Sequence, residues 1–192
     1  MRPLISDDAA RAMYASGRGN ATARRFSRFW ITAFAAGLFP RRGVTLEVPG
    51  RRGGRPTRFP LVAADVGGRW YLVSMLGEDC NWVRNVRAAD GLVTLRRRRR
   101  RRACRLAEVP AADRPPILKR YLAKAPGGRP HIPVDRHAPL ADFAAVASRY
   151  PVFRVETLPA AATRPAERPE PAPAPRARSR ATRAAERRPA DG

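Results

Sequence analysis

Cysteine and histidine are scarce in this 192-residue chain, which has two of each. Cys80 and Cys104 are too few and too far apart in sequence for a disulfide framework. His131 and His137 do not complete a zinc-ligand set with them at any familiar spacing. We therefore expect reduced thiols, no metal site and a cytoplasmic location.

Long hydrophobic runs are missing as well. The longest, residues 29–39, is short of the roughly 20 residues that span a bilayer. The opening MRPLISDDAARAMY has acids where a secretory signal would carry its apolar segment. Residues 19–40 instead show apolar side chains at helical spacing behind a basic first turn. We predict a helical segment in 1–40 that packs on the folded domain formed by the residues after it or, alternatively, contacts a membrane surface.

Lysine is almost absent. Lys119 and Lys124 are the only lysines among 39 basic residues, against 16 acidic ones, and the formal net charge is +23. Together with abundant Ala, Pro and Gly, this arginine bias indicates a GC-rich genome more than a particular partner. The charge still attracts anions, whether nucleic acid, anionic lipid or a polyanionic cofactor.

The segment 159–192 has no aromatic residue and no aliphatic side chain larger than alanine. Such a composition cannot bury enough apolar surface to offset its conformational entropy, so we predict a disordered tail. The tail holds eight basic and four acidic residues, which leaves 31 basic and 12 acidic residues, a net +19, in the rest of the chain.

Residues 41–158 alternate short strand patterns with single helices. Strands are predicted at 43–50, 57–66, 69–76, 91–95, 103–109 and 151–158, and helices at 77–89, 110–128 and 139–150. In the first of these helices, Asp79 is a candidate N-cap. Strands joined mostly by hairpins favour a mainly β, α+β architecture, an antiparallel barrel of about six strands with flanking helices.

Two segments carry candidate chemistry. GRRGGRPTRFPL, from residue 50, is a glycine-rich turn with arginines, whose exposed N–H groups and guanidinium forks suit phosphate or carboxylate. A strand follows it, so it is neither a Walker loop nor a dinucleotide fingerprint. SMLGEDCNWVRNVRA, from residue 74, runs from a strand end into the first turn of a helix, where free N–H groups favour an anion.

In this order and spacing, the two segments resemble the deazaflavin (F420)-dependent nitroreductase and quinone reductase family of split β-barrels, which is related to FMN-binding barrels. The resemblance covers roughly residues 38–156. It implies an F420-dependent oxidoreductase that passes hydride to a quinone, nitroaromatic or activated alkene, with an FMN-binding reductase as the alternative. It implies cofactor contacts from the turn and second strand at Arg51, Arg52, Gly53, Thr57, Arg58, Phe59, Pro60, Leu61 and Val62. The third strand and the helix would contribute Val73, Ser74, Met75, Leu76, Asn81, Trp82, Val83, Arg84 and Asn85.

The sequence departs from the family in two places. Gly53 stands where many members have serine, and no tyrosine precedes Tyr150 in the C-terminal part of the expected pocket. His131, Asp135 and His137 are candidate proton donors there, or polar residues of a loop. The acceptor would be a small molecule, and a homodimer stays open because related barrels often dimerise.

A run of seven arginines, residues 96–102, raises a competing hypothesis of a basic, non-catalytic nucleic-acid-binding or cofactor-carrying module. No aromatic side chain lies between Leu95 and Leu106, which argues against a specific nucleic-acid reader. The run lies between two predicted strands, so we predict a basic hairpin at a sheet edge. Because the run has no glycine or proline, its tip is predicted to be loose.

Overall fold

A computed structural model describes residues 42–98 and 100–159. The strands are β1 (Gly43–Pro49), β2 (Pro56–Val66), β3 (Arg69–Val73), β4 (Leu92–Arg97), β5 (Arg100–Glu108) and β6 (Val152–Thr157). The helices are α1 (Asn81–Ala88), α2 (Pro115–Lys124) and α3 (Leu140–Val146), with single 3-10 turns at Ala111–Asp113, Pro126–Gly128 and Ala147–Arg149. The predicted N-terminal helix and almost all of the predicted disordered tail lie outside the described residues.

The six strands form a closed antiparallel barrel in the order β1-β2-β3-β6-β5-β4, in which β4 pairs with β1. This confirms the predicted α+β architecture and the strand count. Consecutive strands are joined by short connections except where α1, or α2 with α3, is inserted. Closure gives every strand two hydrogen-bonded neighbours, although residues 100–102 of β5 pair only with β4.

Side chains of the strands beside the helical layer alternate between two cores. Inward positions of the strands form the barrel interior around Leu46, Leu72 and Phe153. On the outer face of β2 and β3, α2 and α3 form a second core around Leu118 and Phe143. This alternation is the period-2 pattern of a strand that is buried on both faces.

Helix α1 closes one end of the barrel. Trp82, Val83 and Val86 are 3% exposed or less and pack into the interior, where Trp82 meets Phe153 edge to face at 5.4 Å. The candidate cap at Asp79 is wrong, because Cys80 is the N-cap and makes no side-chain capping bond. Asp79 instead pairs with the Arg84 guanidinium.

The arginine run is part of the sheet. Strand β4 continues to Arg97 and β5 begins at Arg100, with Arg97 opposite Arg100, so the prediction of a loose tip is wrong. Arg98 adopts φ +45°, the left-handed conformation that a tight hairpin turn requires. The edge position holds for the arginines of β5, because pairing with β6 begins at Cys104 and residues 100–102 pair only with β4. On β4, Arg96 also pairs with Thr45 of β1.

Asp65, near the end of β2, joins the barrel to α2. Its carboxylate accepts bonds from Arg42 Nη2 at 2.6 Å and from Arg120 Nε at 3.0 Å. The hydrogen bond from Arg120, and then the charge of Arg42, hold the pKa of Asp65 below its ordinary value of 3.8. A carboxyl group whose pKa is lowered by folding stabilises the fold at pH values above its ordinary pKa. This stabilisation is lost as the pH falls through the lowered pKa of the folded state.

We expect Asp65→Asn to lower the free energy of unfolding by about 1 kcal/mol at neutral pH, because two partly exposed ion pairs are lost. The difference from wild type should shrink as pH falls through the lowered pKa, where the wild-type carboxyl becomes neutral too. Urea titrations of both proteins at neutral and strongly acidic pH measure this. A difference that is constant with pH would contradict the role of the charge.

Candidate functional site

The glycine-rich turn between β1 and β2 lies against α1. Arg51 Nη1 donates to Asn85 Oδ1 at 3.0 Å and approaches Asn81 Oδ1 at 3.5 Å. Asn85 Nδ2 donates to Thr57 Oγ1 at 3.1 Å, and the Thr57 hydroxyl donates to the Val48 carbonyl. Asn85 is only 4% exposed, so this chain of bonds fixes the turn on the helix. The two segments singled out in the sequence therefore meet in space.

The turn itself is compact and basic. The amides of Gly53 and Gly54 both donate to the Gly50 carbonyl, and Gly50 N donates to Arg55 O. Residues 51–56 are all exposed, and none of them is acidic. Arg52 and Arg55 thus present guanidinium groups to solvent beside Arg51, an arrangement suited to an anion with several charges.

A pocket of about 310 Å³ lies where β3 ends. It is lined by Met75, Leu76, Gly77, His131, Arg149 and Tyr150. Two bonds shape its wall: Tyr121 Oη donates to Met75 Sδ at 3.6 Å, and Tyr150 Oη donates to the His131 carbonyl at 2.9 Å. Burial raises the pKa of both tyrosines, which keeps them neutral. The loop that begins at Ser74 connects this pocket to the start of α1. A hydrogen bond from Ser74 Oγ to the Gly77 carbonyl fixes the first turn of this loop.

Several of the predicted cofactor contacts lie elsewhere. The side chains of Trp82 and Val83 fill the barrel interior, and Val73 packs under the helical layer, so only their backbones are left for a ligand in this conformation. Arg58 lies on the outer face of the barrel and donates to Glu47 at 2.9 Å. Arg84 pairs with Asp79 on the exposed side of α1.

The remaining predicted contacts on β2 point alternately to the two faces of the strand. Phe59 and Leu61 contact the barrel interior, whereas Val62 packs against the helical layer. Pro60 is half-buried. The side chains predicted along this strand therefore point to both of its faces, so any contacts of the second set to the same ligand would come from the backbone.

Of the three candidate proton donors, His131 alone lines the pocket. Asp135 and His137 lie in an exposed part of the same loop, where Asp135 accepts the His137 amide at 2.7 Å and Arg136 Nε contacts His137 Nε2. Sequence reasoning did not single out Gly77, Arg149 or Tyr150 as pocket residues. They come from two loops far apart in sequence. The only local sequence feature that could have pointed to this part of the pocket was the position of Tyr150 just ahead of the last strand.

Both cysteines are free, and burial raises the pKa of each thiol, so neither is an activated nucleophile. Within the described ranges there is no group of metal-ligating side chains. No helix in 42–98 or 100–159 has the length and apolar character to cross a membrane.

A closed six-stranded barrel with flanking helices, with a basic glycine turn tied to a helix at the barrel end, defines a split-barrel protein. The sequence profile of the F420H2-dependent quinone reductase family matches residues 32–140. The chain belongs to this family, and it is an F420-dependent oxidoreductase; the resemblance drawn from the two motifs is confirmed.

Solved structures give a weaker likeness. One described as an F420-H2 dependent reductase, FDR-A, is 23% identical over 60% of this chain and 95% of its own, with a TM-score of 0.40. One described as a domain-swapped dimer is 22% identical over 70% and 96%, with a TM-score of 0.42. A protein of unknown function from Agrobacterium tumefaciens is 13% identical over 82% and 59%, with a TM-score of 0.47. No curated protein matches the chain.

Proposed function

We propose that this protein binds F420 where the glycine-rich turn meets α1, and that it reduces a quinone, a nitroaromatic or an activated alkene. The observation that carries the proposal is the bond from Arg51 to Asn85, which joins the two motifs into one surface. F420 carries a phosphodiester and several carboxylates. The acid-free turn with its exposed arginines has the charge to hold them.

The residues of the turn fit this cofactor. Arg51 is oriented by Asn81 and Asn85, so its guanidinium is pre-organised, while Arg52 and Arg55 remain exposed beside it. Gly53 in place of serine removes one hydroxyl donor, but a Cβ there would meet nothing within 4 Å, so the turn leaves the approach open. When bound, the reduced cofactor supplies hydride from C5 of its deazaflavin ring.

The pocket at the end of β3 supplies the rest of the proposed site. Met75 and Leu76 offer an apolar wall that excludes water from one side of a planar ring. We assign proton donation to His131, which lines this pocket, in preference to Asp135 and His137 in the exposed loop. Tyr150 positions the loop through the His131 carbonyl and keeps its own proton.

Titration of F420, FMN and FAD against the purified protein tests the cofactor. Saturable quenching of F420 fluorescence, followed by steady turnover with menadione or a nitroimidazole, is the expected result. A protein that is yellow as isolated and whose flavin F420 cannot displace would establish the FMN alternative instead. Binding of F420 without turnover would indicate a carrier.

We expect Arg51→Gln to weaken F420 binding by about tenfold, the value of one charge-assisted hydrogen bond pair. The matched control is Arg105→Gln, which removes the same charge from an exposed site on β5 and should change the affinity by less than about twofold. Equal losses in both variants would indicate general attraction to a basic protein rather than a site at the turn.

We extend the proposal to assembly and location. A cytoplasmic protein, a homodimer, and peripheral membrane contact through the N-terminal segment are all consistent with a reductase of apolar acceptors. We also propose that nucleic acid is not a specific partner, since the aromatic-free arginine run offers only salt-sensitive contacts. Light scattering and vesicle sedimentation test the assembly and the membrane contact.

A further inference from the structure

The second cavity of the described barrel lies at the end away from α1, and its volume is about 760 Å³. Val44 lines it, whereas the glycine-rich turn begins at Gly50, so roughly 20 Å of extended β1 separates the two places. The volume is within the ~300–1,000 Å³ of small-molecule sites.

The barrel register sorts the arginine run onto two faces. Arg96 and Arg101 are opposite each other and lie on the outer face, where Glu47 accepts Arg101 Nη2 at 2.6 Å and lies 3.7 Å from Arg96 Nη1. The alternate positions, Arg97 with Arg100 and Arg102 with Leu95, line the cavity. The outer arginines therefore share a carboxylate, and the inner ones face a shared space.

The cavity combines an apolar floor with a basic rim. Val44, Leu95 and Val155 contribute apolar lining, whereas five of the described lining residues are arginines and none is acidic. The Arg97 guanidinium lies over the Trp70 ring at 4.7 Å, which holds its fork at the edge of the floor.

We propose that this end of the barrel binds phosphate groups through Arg97, Arg100 and Arg102, with the apolar lining of the cavity receiving the apolar part of the ligand. Guanidinium forks match the geometry of phosphate oxygens, and several of them converging on one apolar floor favour an anion with more than one charge. The phosphate comes from a small phosphorylated molecule or from a lipid headgroup. The site does not depend on the proposed cofactor site at the opposite end.

Calorimetric titration with tripolyphosphate at physiological ionic strength tests the site. We expect saturable binding that Arg100→Gln/Arg102→Gln weakens by about tenfold or more. The control, Arg105→Gln/Lys124→Gln, removes the same two charges from exposed positions outside the cavity and should change the affinity by less than about twofold. Arg51→Gln distinguishes the two ends of the barrel, since loss of tripolyphosphate binding in this variant would place the anion at the glycine-rich turn instead.

Sedimentation with phosphatidylglycerol vesicles identifies the source of the phosphate. Vesicle binding that tripolyphosphate displaces indicates a lipid headgroup, and tripolyphosphate binding without sedimentation indicates a small molecule. The proposal is overturned if wild type shows no saturable binding, if both double variants weaken it equally, or if Arg51→Gln abolishes it.

Discussion

Replacing Gly91 with alanine is expected to lower the free energy of unfolding by about 3 kcal/mol, because two costs add at this residue. Gly91 has φ +77°, a left-handed conformation that is unfavourable for residues with a Cβ. It also packs against β5: an added Cβ would lie 2.5 Å from the Leu106 carbonyl oxygen, well inside van der Waals contact. Backbone oxygen cannot move aside as a side chain would.

The close approach is part of how α1 enters the barrel end. Gly91 N donates to Val86 O at 2.9 Å, which ends the helix, and Gly91 O accepts the Leu106 amide at 2.8 Å, which joins the turn to β5. The alanine variant must break this bond or displace the strand. Loss of α1 packing should expose Trp82, so a red shift of its fluorescence is expected at denaturant concentrations that wild type withstands.

The control for Gly91 is Gly67→Ala. Gly67 has φ +54° in the β2–β3 turn, but an added Cβ would meet nothing within 4 Å. Only the conformational cost of about 1 kcal/mol is expected there. Urea unfolding of both variants measures the difference. Equal costs would show that the packing of the turn against β5 is not what requires glycine.

Arg114→Met is expected to lower the free energy of unfolding by about 3–4 kcal/mol, because a buried charged donor that joins three segments is lost. Arg114 is 6% exposed and immediately precedes α2. It donates to the carbonyls of Val109 (2.8 Å), Ala147 (3.2 Å), Tyr150 (3.3 Å) and Ser148 (3.5 Å), and to the Glu108 carboxylate (3.2 Å). Methionine fills much of the space but leaves these acceptors without their donor.

The loss should be largest next to the proposed site, since the 3-10 turn Ala147–Arg149 and Tyr150 form one wall of the pocket at the end of β3. Faster amide exchange in 147–152 is expected before global unfolding. Arg114→Lys keeps the charge but not the forked guanidinium, so its free energy of unfolding should lie between those of wild type and Arg114→Met. Arg84→Met, which breaks an exposed pair, should cost less than about 0.5 kcal/mol. Matching losses for Arg84 and Arg114 would contradict the role of burial.

The residue pattern alone was enough for the class of fold. Period-2 alternation in 43–50 and 103–109 is a local signal that survives folding because the same side chains meet the core. The strand predicted at 69–76 ends at Val73, and residues 74–76 belong to the loop ahead of α1. The family followed from two short motifs in the right order. The net positive charge indicated attraction to anions in general, but it did not say which anion or where on the molecule it would bind.

The tertiary structure decided which face each predicted residue occupies. Arg51 and Asn85 are 34 residues apart, and only the packing of α1 on the barrel end makes them partners. Trp82, from the same motif, turns inward, because a helix that closes a barrel must bury one face. The arginine run shows the same division: its composition was plain in the sequence, while the barrel register alone separated Arg97, Arg100 and Arg102 from Arg96 and Arg101. Composition is a property of the chain, but the direction of a side chain is set by strand pairing between residues distant in sequence.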